Sequence, residues 1–156
     1  MKILSRINLL ELVRAEPKRH DVVVIHEIGK FHEVVEIVKL CRETIVLEME
    51  DIISGRPGSP TKEKVEAGIK SGFEIVACKF GISRSSAIAY LLESQRTSPQ
   101  EAISILDVNR HYPNELILKF GMEILGTFDK NPIIDFFKRT GLELHPHSLL
   151  FRIDSQ

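Results

Sequence analysis

Two rhythms of apolar residues alternate along the chain. Asp21-Val22-Val23-Val24-Ile25 is a continuous β-branched run, the pattern of a strand buried on both faces. Thr44-Ile45-Val46-Leu47-Glu48-Met49 reads as a second strand, and Phe73-Glu74-Ile75-Val76-Ala77 as a third. Between them the spacing becomes helical: Phe31, Val34, Val35, Val38 and Cys41 share one face of a helix. Residues 4–14 suit a helix, or a short strand and then a helix, ended by Glu16-Pro17-Lys18-Arg19. Thr61 is a good N-cap for a helix over 62–71, and Ser98-Pro99-Gln100-Glu101 is a strong helix start. Further helices are expected over 85–93, 114–125 and 132–140, the last stopped by Gly141. Residues 149–153 are apolar enough for a strand or a docking segment. Strands alternating with helices, then helices alone, predict an α/β fold whose central, mostly parallel sheet is flanked by helices.

A chain of 156 residues can bury a sizeable core as one domain. Residues 1–125 form the main unit, and 126–156 are expected to pack on it as a C-terminal extension. A net charge of −1 gives no bulk attraction to nucleic acid or to anionic membrane, so neither is expected as a partner. No apolar run reaches the roughly 18–20 residues of a membrane span. The first residues, Met1-Lys2-Ile3-Leu4-Ser5-Arg6, lack the long apolar region of a signal peptide, and a cytoplasmic location is expected. Two cysteines, Cys41 and Cys78, do not make a disulfide framework and suit a reducing compartment.

One loop concentrates the chemistry. Cys78-Lys79-Phe80-Gly81-Ile82-Ser83-Arg84 separates the third strand from a helix. A strand, a tight loop and a helix N-terminus bring backbone N–H groups together where the helix dipole favours negative charge. A cysteine in that field is expected to ionise readily. An arginine there offers a planar fork that fits two phosphate oxygens. Nucleophile, anion cradle and cation are the equipment for phosphoryl transfer through a covalent thiophosphate.

Cys-x5-Arg followed by Ser resembles the signature loop of the cysteine-based protein tyrosine phosphatases. Gly81-Ile82-Ser83-Arg84-Ser85 and Ala89-Tyr90-Leu91 are similar to the dual-specificity branch and its compact microbial relatives. Met49-Glu50-Asp51-Ile52 resembles the segment that carries the family's general acid, and Pro113-Asn114 a feature of the microbial relatives. The match covers 45–125 by motif and the N-terminal part by pattern. The resemblance implies a protein tyrosine phosphatase-like fold and a phosphomonoester hydrolase. Cys78 would attack phosphorus, Arg84 would clamp the phosphate, and Asp51 would protonate the leaving oxygen. The Ser85 hydroxyl would donate to the departing sulfur. Lys79, Phe80, Gly81, Ile82 and Ser83 would cradle the phosphate with Arg84. No metal or cofactor is implied. Phosphorylated protein or a small phosphoester would be the substrate, and phosphate, sulfate or vanadate would occupy the loop.

Ala77 departs from the family, which usually has a histidine before the cysteine. It supports a rival reading, a phosphate-binding module without turnover. A second rival is a phosphatase of inositol phosphates, lipids or RNA 5′ ends, supported by Lys79 alone. A thiol-redox or sulfur-transfer protein is disfavoured by Arg84 and by the lack of Cys-x-x-Cys. Asp51 precedes Cys78 by 27 residues and follows a strand; Glu48 and Glu50 are its neighbours and rivals, and a capping carboxylate is its plain alternative. Lys79 and Arg56 read more simply as solvated side chains. Cys41 reads as a packed core residue rather than a disulfide partner of Cys78. His145 and His147 lack a third metal ligand, and His20, His26, His32 and His111 form no constellation.

Overall fold

A computed structural model describes residues 1–126, 128–141 and 148–152. Four parallel strands form one sheet in the order β1-β4-β2-β3. They are β1 (Lys2–Ser5), β2 (Asp21–His26), β3 (Glu43–Glu48) and β4 (Ile75–Cys78). The inner strands carry the apolar runs. Val22, Val23, Val24 and Ile25 of β2 and all four residues of β4 are buried. Sequence order and spatial order differ, because β4 inserts between β1 and β2. Ligands of such open sheets bind beyond the carboxyl ends of the strands, where the order reverses.

The helices α1 (Arg6–Ala15) and α2 (Val35–Leu40) cover one face. Leu9, Val13, Val34, Ile37 and Cys41 pack there against Val22, Val24, Ile75 and Ala77. The other face meets α3 (Lys62–Lys70), α4 (Arg84–Arg96), α5 (Pro99–Ala102), α6 (Glu115–Leu125) and α7 (Asn131–Arg139). Side chains alternate along a strand, so Ala77 belongs to the first cluster and Cys78 to the second. α4 is buried on all sides from Arg84 to Leu92. It approaches α6 so closely that a Cβ on Gly121 would lie 2.2 Å from Leu91 Cδ1. Phe128, Ile133, Phe136, Phe137 and Leu150 join the same buried cluster as Cys78.

The caps follow the sequence. Thr61 Oγ1 accepts from Lys64 N, Ser98 Oγ from Glu101 N and Asn114 Oδ1 from Ile117 N. Residues 4–14 resolve into the end of β1 and most of α1, with Ser5 as cap. One expectation is corrected. Residues 31–41 form a 3-10 turn, Phe31–Glu33, and then α2. Val34 stands between them as an N-cap with no side-chain hydrogen bond, and Phe31 is exposed rather than on the packed face. Of the two readings of residues 149–153, a strand or a docking segment, the second holds for the described part: Leu149–Arg152 is a 3-10 turn, and Leu150 is fully buried in the core. Ile153, His145 and His147 lie outside the described residues. Among the described residues, no helix is long and apolar enough to cross a membrane.

Candidate active site

Cys78 is the last residue of β4, at the carboxyl edge of the sheet. The parallel register sets Ser5 of β1 beside it, and His26 ends β2 on the other side. The loop that follows is pinned from outside. Lys79 O accepts from Arg6 N at 3.3 Å, Ile82 O from Tyr112 N at 3.0 Å and Ser83 O from Asn114 N at 3.1 Å. Among the described residues no peptide bond is cis, so each outward carbonyl turns the next N–H the opposite way. The N–H groups of Phe80, Ser83 and Arg84 therefore face away from these anchors. Gly81 makes the turn possible. Its φ is +68°, and a Cβ there would sit 2.8 Å from Leu4 C and Ser5 N, both backbone atoms.

Ser85 Oγ lies 3.0 Å from Cys78 Sγ, and both are buried. A hydroxyl at that distance donates to a thiolate. Arg84 begins α4 and is only 4% exposed. Its Nη1 donates to Glu27 Oε2 and to Met49 O, both at 2.9 Å. Its Nε is buried and has no partner among the described residues. One edge of the guanidinium is thus held by protein, and the other carries a donor without an acceptor. A tetrahedral oxyanion above the loop matches that need.

Glu27 and Arg6 are members of the site that sequence reading did not single out. Glu27 follows β2 and accepts from Arg84 on one side and from Arg6 Nη2, at 3.2 Å, on the other. Arg6 also donates to Glu33 at 2.7 Å. Burial pushes the Glu27 carboxyl up, but the hydrogen bonds from Arg84 and Arg6 outweigh it and hold the group below its ordinary value. The sequence carried no motif for this pairing. It arises because the ends of β1, β4 and β2 lie side by side.

Asp51 follows β3 and reaches the cysteine loop. Its Oδ1 accepts from Ser83 Oγ at 2.7 Å and from Asn114 Nδ2 at 2.9 Å. Ser83, which precedes α4, thereby gives its hydroxyl to Asp51 and does not cap the helix. The two neighbouring carboxylates are used elsewhere. Glu50 Oε1 accepts from Ile28 N at 3.0 Å and Glu48 Oε2 from Gly29 N at 3.2 Å, which fastens the loop after β2. Lys64 Nζ donates to Glu48 O.

The remaining candidates stay apart from this group. Lys79 is exposed, with Nζ 5.4 Å from the centre of the Phe80 ring. Arg56 Nε bonds Ser54 Oγ within its own loop. Cys41 packs on the opposite face of the sheet, and burial pushes its thiol up to about 11. Among the described residues, no three His, Cys, Asp or Glu side chains could hold a metal ion. A surface depression of about 490 Å³ lies near the amino-terminal ends of the strands, among Lys2, His20, Asp21, Arg42 and Glu74. It holds no cysteine or serine, and Arg42 is already paired with Asp21 at 2.8 and 2.6 Å. Cys78, Arg84 and Asp51 are instead at the carboxyl edge.

No protein-family model matches this chain, and comparison with curated proteins finds no match.

Proposed function

We propose that the chain is a phosphomonoester hydrolase of the cysteine-dependent protein tyrosine phosphatase type, with dual-specificity-like substrate range. The observation that carries this reading is the meeting of Cys78 Sγ with Ser85 Oγ beside a buried Arg84 whose Nε has no partner among the described residues. The α/β sheet order, with the loop at the carboxyl end of β4, is compatible with a protein tyrosine phosphatase-like fold.

In this reading the phosphate oxygens sit on the loop N–H groups and on the Arg84 guanidinium. The Cys78 thiolate attacks phosphorus, an S–P bond forms, and the ester P–O bond breaks. Asp51, as a carboxylic acid, gives its proton to the leaving oxygen. Water then attacks the cysteinyl phosphate while the Asp51 carboxylate takes a proton from it. Sulfur leaves as thiolate, with the Ser85 hydroxyl donating to it. Phosphate departs and Asp51 is again protonated. Loop dipoles and Arg84 supply the stabilising charge throughout. A working thiol suits a reducing, cytoplasmic location. Phosphorylated protein or a small phosphoester is the proposed substrate, and phosphate, sulfate or vanadate the simple occupant.

A second reading, phosphate binding without turnover, is favoured by Ala77. It packs among Leu9, Val13 and Val24 and brings no polar group to the loop. Hydrolysis of phenyl phosphate between about pH 5 and 8 separates the two readings. Turnover by the wild type that Cys78→Ser abolishes supports the hydrolase. Vanadate binding without turnover in the wild type supports the module.

A further inference from the structure

Among the described residues, the exposed large hydrophobic side chains are Ile7, Ile28, Phe31, Ile53, Phe80 and Ile82. Single exposed apolar residues need no explanation, but their placement here does. Ile7 lies just after β1, Ile28 and Phe31 after β2, Ile53 after β3, and Phe80 and Ile82 after β4. Every one is on a segment leaving the carboxyl end of a strand, at the edge that holds Cys78. Phe80 is 64% exposed and Ile7 71% exposed. The amino-terminal edge of the sheet carries none of them.

We infer that this rim docks a phosphorylated polypeptide segment with apolar residues beside the phosphorylated one. The inference rests on the hydrolase reading and names its substrate class. Two observations select this occupant. The first is location, since Phe80 and Ile82 belong to the cysteine loop itself. The second is span. Neighbouring strands lie about 4.8 Å apart, so a rim from β1 to β3 crosses about 14 Å, the reach of four or five extended residues. One aryl ring covers much less.

Charge does not single out an occupant: Glu48, Glu50 and Asp51 lie at the end of β3 and just beyond it, Glu48 and Glu50 already accept from Gly29 N and Ile28 N, and Lys30, Arg56 and Lys79 are exposed on the same edge. β4 is second in the sheet, with β2 and β3 to one side and β1 to the other. Ile28, Phe31 and Ile53 therefore lie on the longer side of the rim, and the segment engages more apolar residues there.

The test compares phosphotyrosine peptides of equal length as substrates of the full chain, flanked by leucine and valine, by glutamate, or by serine. Phenyl phosphate and phosphatidylcholine vesicles carrying a phosphatidylinositol monophosphate complete the set. The apolar peptide is expected to exceed the acidic one in kcat/KM by roughly tenfold or more, the ratio that covering about one aliphatic side chain supplies. In the double variant Phe31→Ser, Ile53→Ser that ratio falls towards one, with the change in KM. Both side chains are exposed, and a thermal unfolding curve checks that the variant is folded. A ratio near one in the wild type, or one unchanged in the variant, overturns the inference. So does faster phosphate release from the vesicles than from any peptide, or hydrolysis of phenyl phosphate but of no peptide. Loss of all turnover, phenyl phosphate included, overturns the hydrolase reading and this inference with it.

Discussion

Glu27 Oε2 accepts from Arg84 Nη1 at 2.9 Å although 57 residues separate the two along the chain. The same carboxylate accepts from Arg6, so it stands between two guanidinium groups. Removing its charge leaves Arg6 and Arg84 as unshielded neighbours of like sign. Glu27→Gln is expected to lower kcat/KM for phenyl phosphate by about 100-fold, the scale of a small misplacement of a reacting group. Vanadate affinity is expected to fall in parallel. Unchanged values for both would remove Glu27 from the positioning of Arg84.

Asp51 and Asn114 make a separable pair. Asp51→Asn is expected to slow hydrolysis by about 10²–10⁴-fold, most for esters with poor leaving groups. A nitrophenyl ester, whose leaving oxygen needs little protonation, is expected to suffer least. Asn114 has two jobs, because its amide donates to Asp51 while its oxygen caps α6. Asn114→Asp keeps a good cap but loses the donor, so activity falls with little change in unfolding temperature. Asn114→Ala loses both and is expected to cost about 1 kcal/mol of stability as well.

The two cysteines should differ in reactivity. Burial pushes the Cys41 thiol up to about 11, so almost none of it is thiolate near neutral pH. Iodoacetamide near pH 7 is expected to label Cys78 and spare Cys41, with phosphate or vanadate protecting Cys78. Peptide mass mapping after a timed reaction checks this. Equal labelling of both would contradict the burial of Cys41.

His111 links folding to pH. Its Nδ1 accepts from Asp107 N at 2.9 Å, and burial lowers the proton affinity of the ring, with Arg110 adding to the effect. As pH falls through about 6.5, the unfolded chain takes up a proton that the folded chain resists, so stability is lost in that direction. Protonation would also place a hydrogen on the nitrogen that now accepts. Denaturant midpoints at about pH 7.5 and 5.5 are expected to differ more for the wild type than for His111→Gln. An equal difference in both would clear His111 of the effect.

Much of the frame was legible in the residues. The Val22–Val24 run and Ile25 have no helical period and sit buried inside the sheet. Thr61 and Ser98 announce helices because their side chains satisfy N–H groups that a helix leaves unbonded, and Asn114, read as the first residue of its helix, is found to cap it in the same way. Cys78, Gly81 and Arg84 were legible because their chemistry is local to one turn. Glu27 and Arg6 were not, since only the lateral order of β1, β4 and β2 brings them to Arg84. The bond from Ser83 to Asp51 was not legible for a similar reason, since 32 residues separate the hydroxyl from the carboxylate that accepts it. The helix expected from Phe31 starts late because the spacing of apolar residues does not mark where a 3-10 turn gives way to an α-helix.

The covalent step is where the hydrolase stands or falls. The full chain is mixed with an aryl phosphate, quenched in the steady state and digested, and the peptide carrying Cys78 is weighed. Asp51→Asn is run alongside on a nitrophenyl phosphate, whose leaving oxygen needs little protonation, so that the second step is the one slowed and the intermediate accumulates. The expected result is one added phosphoryl group on Cys78, absent from Cys78→Ser and increased in Asp51→Asn. Turnover of the ester with Cys78 never phosphorylated, or undiminished turnover by Cys78→Ser, would contradict it.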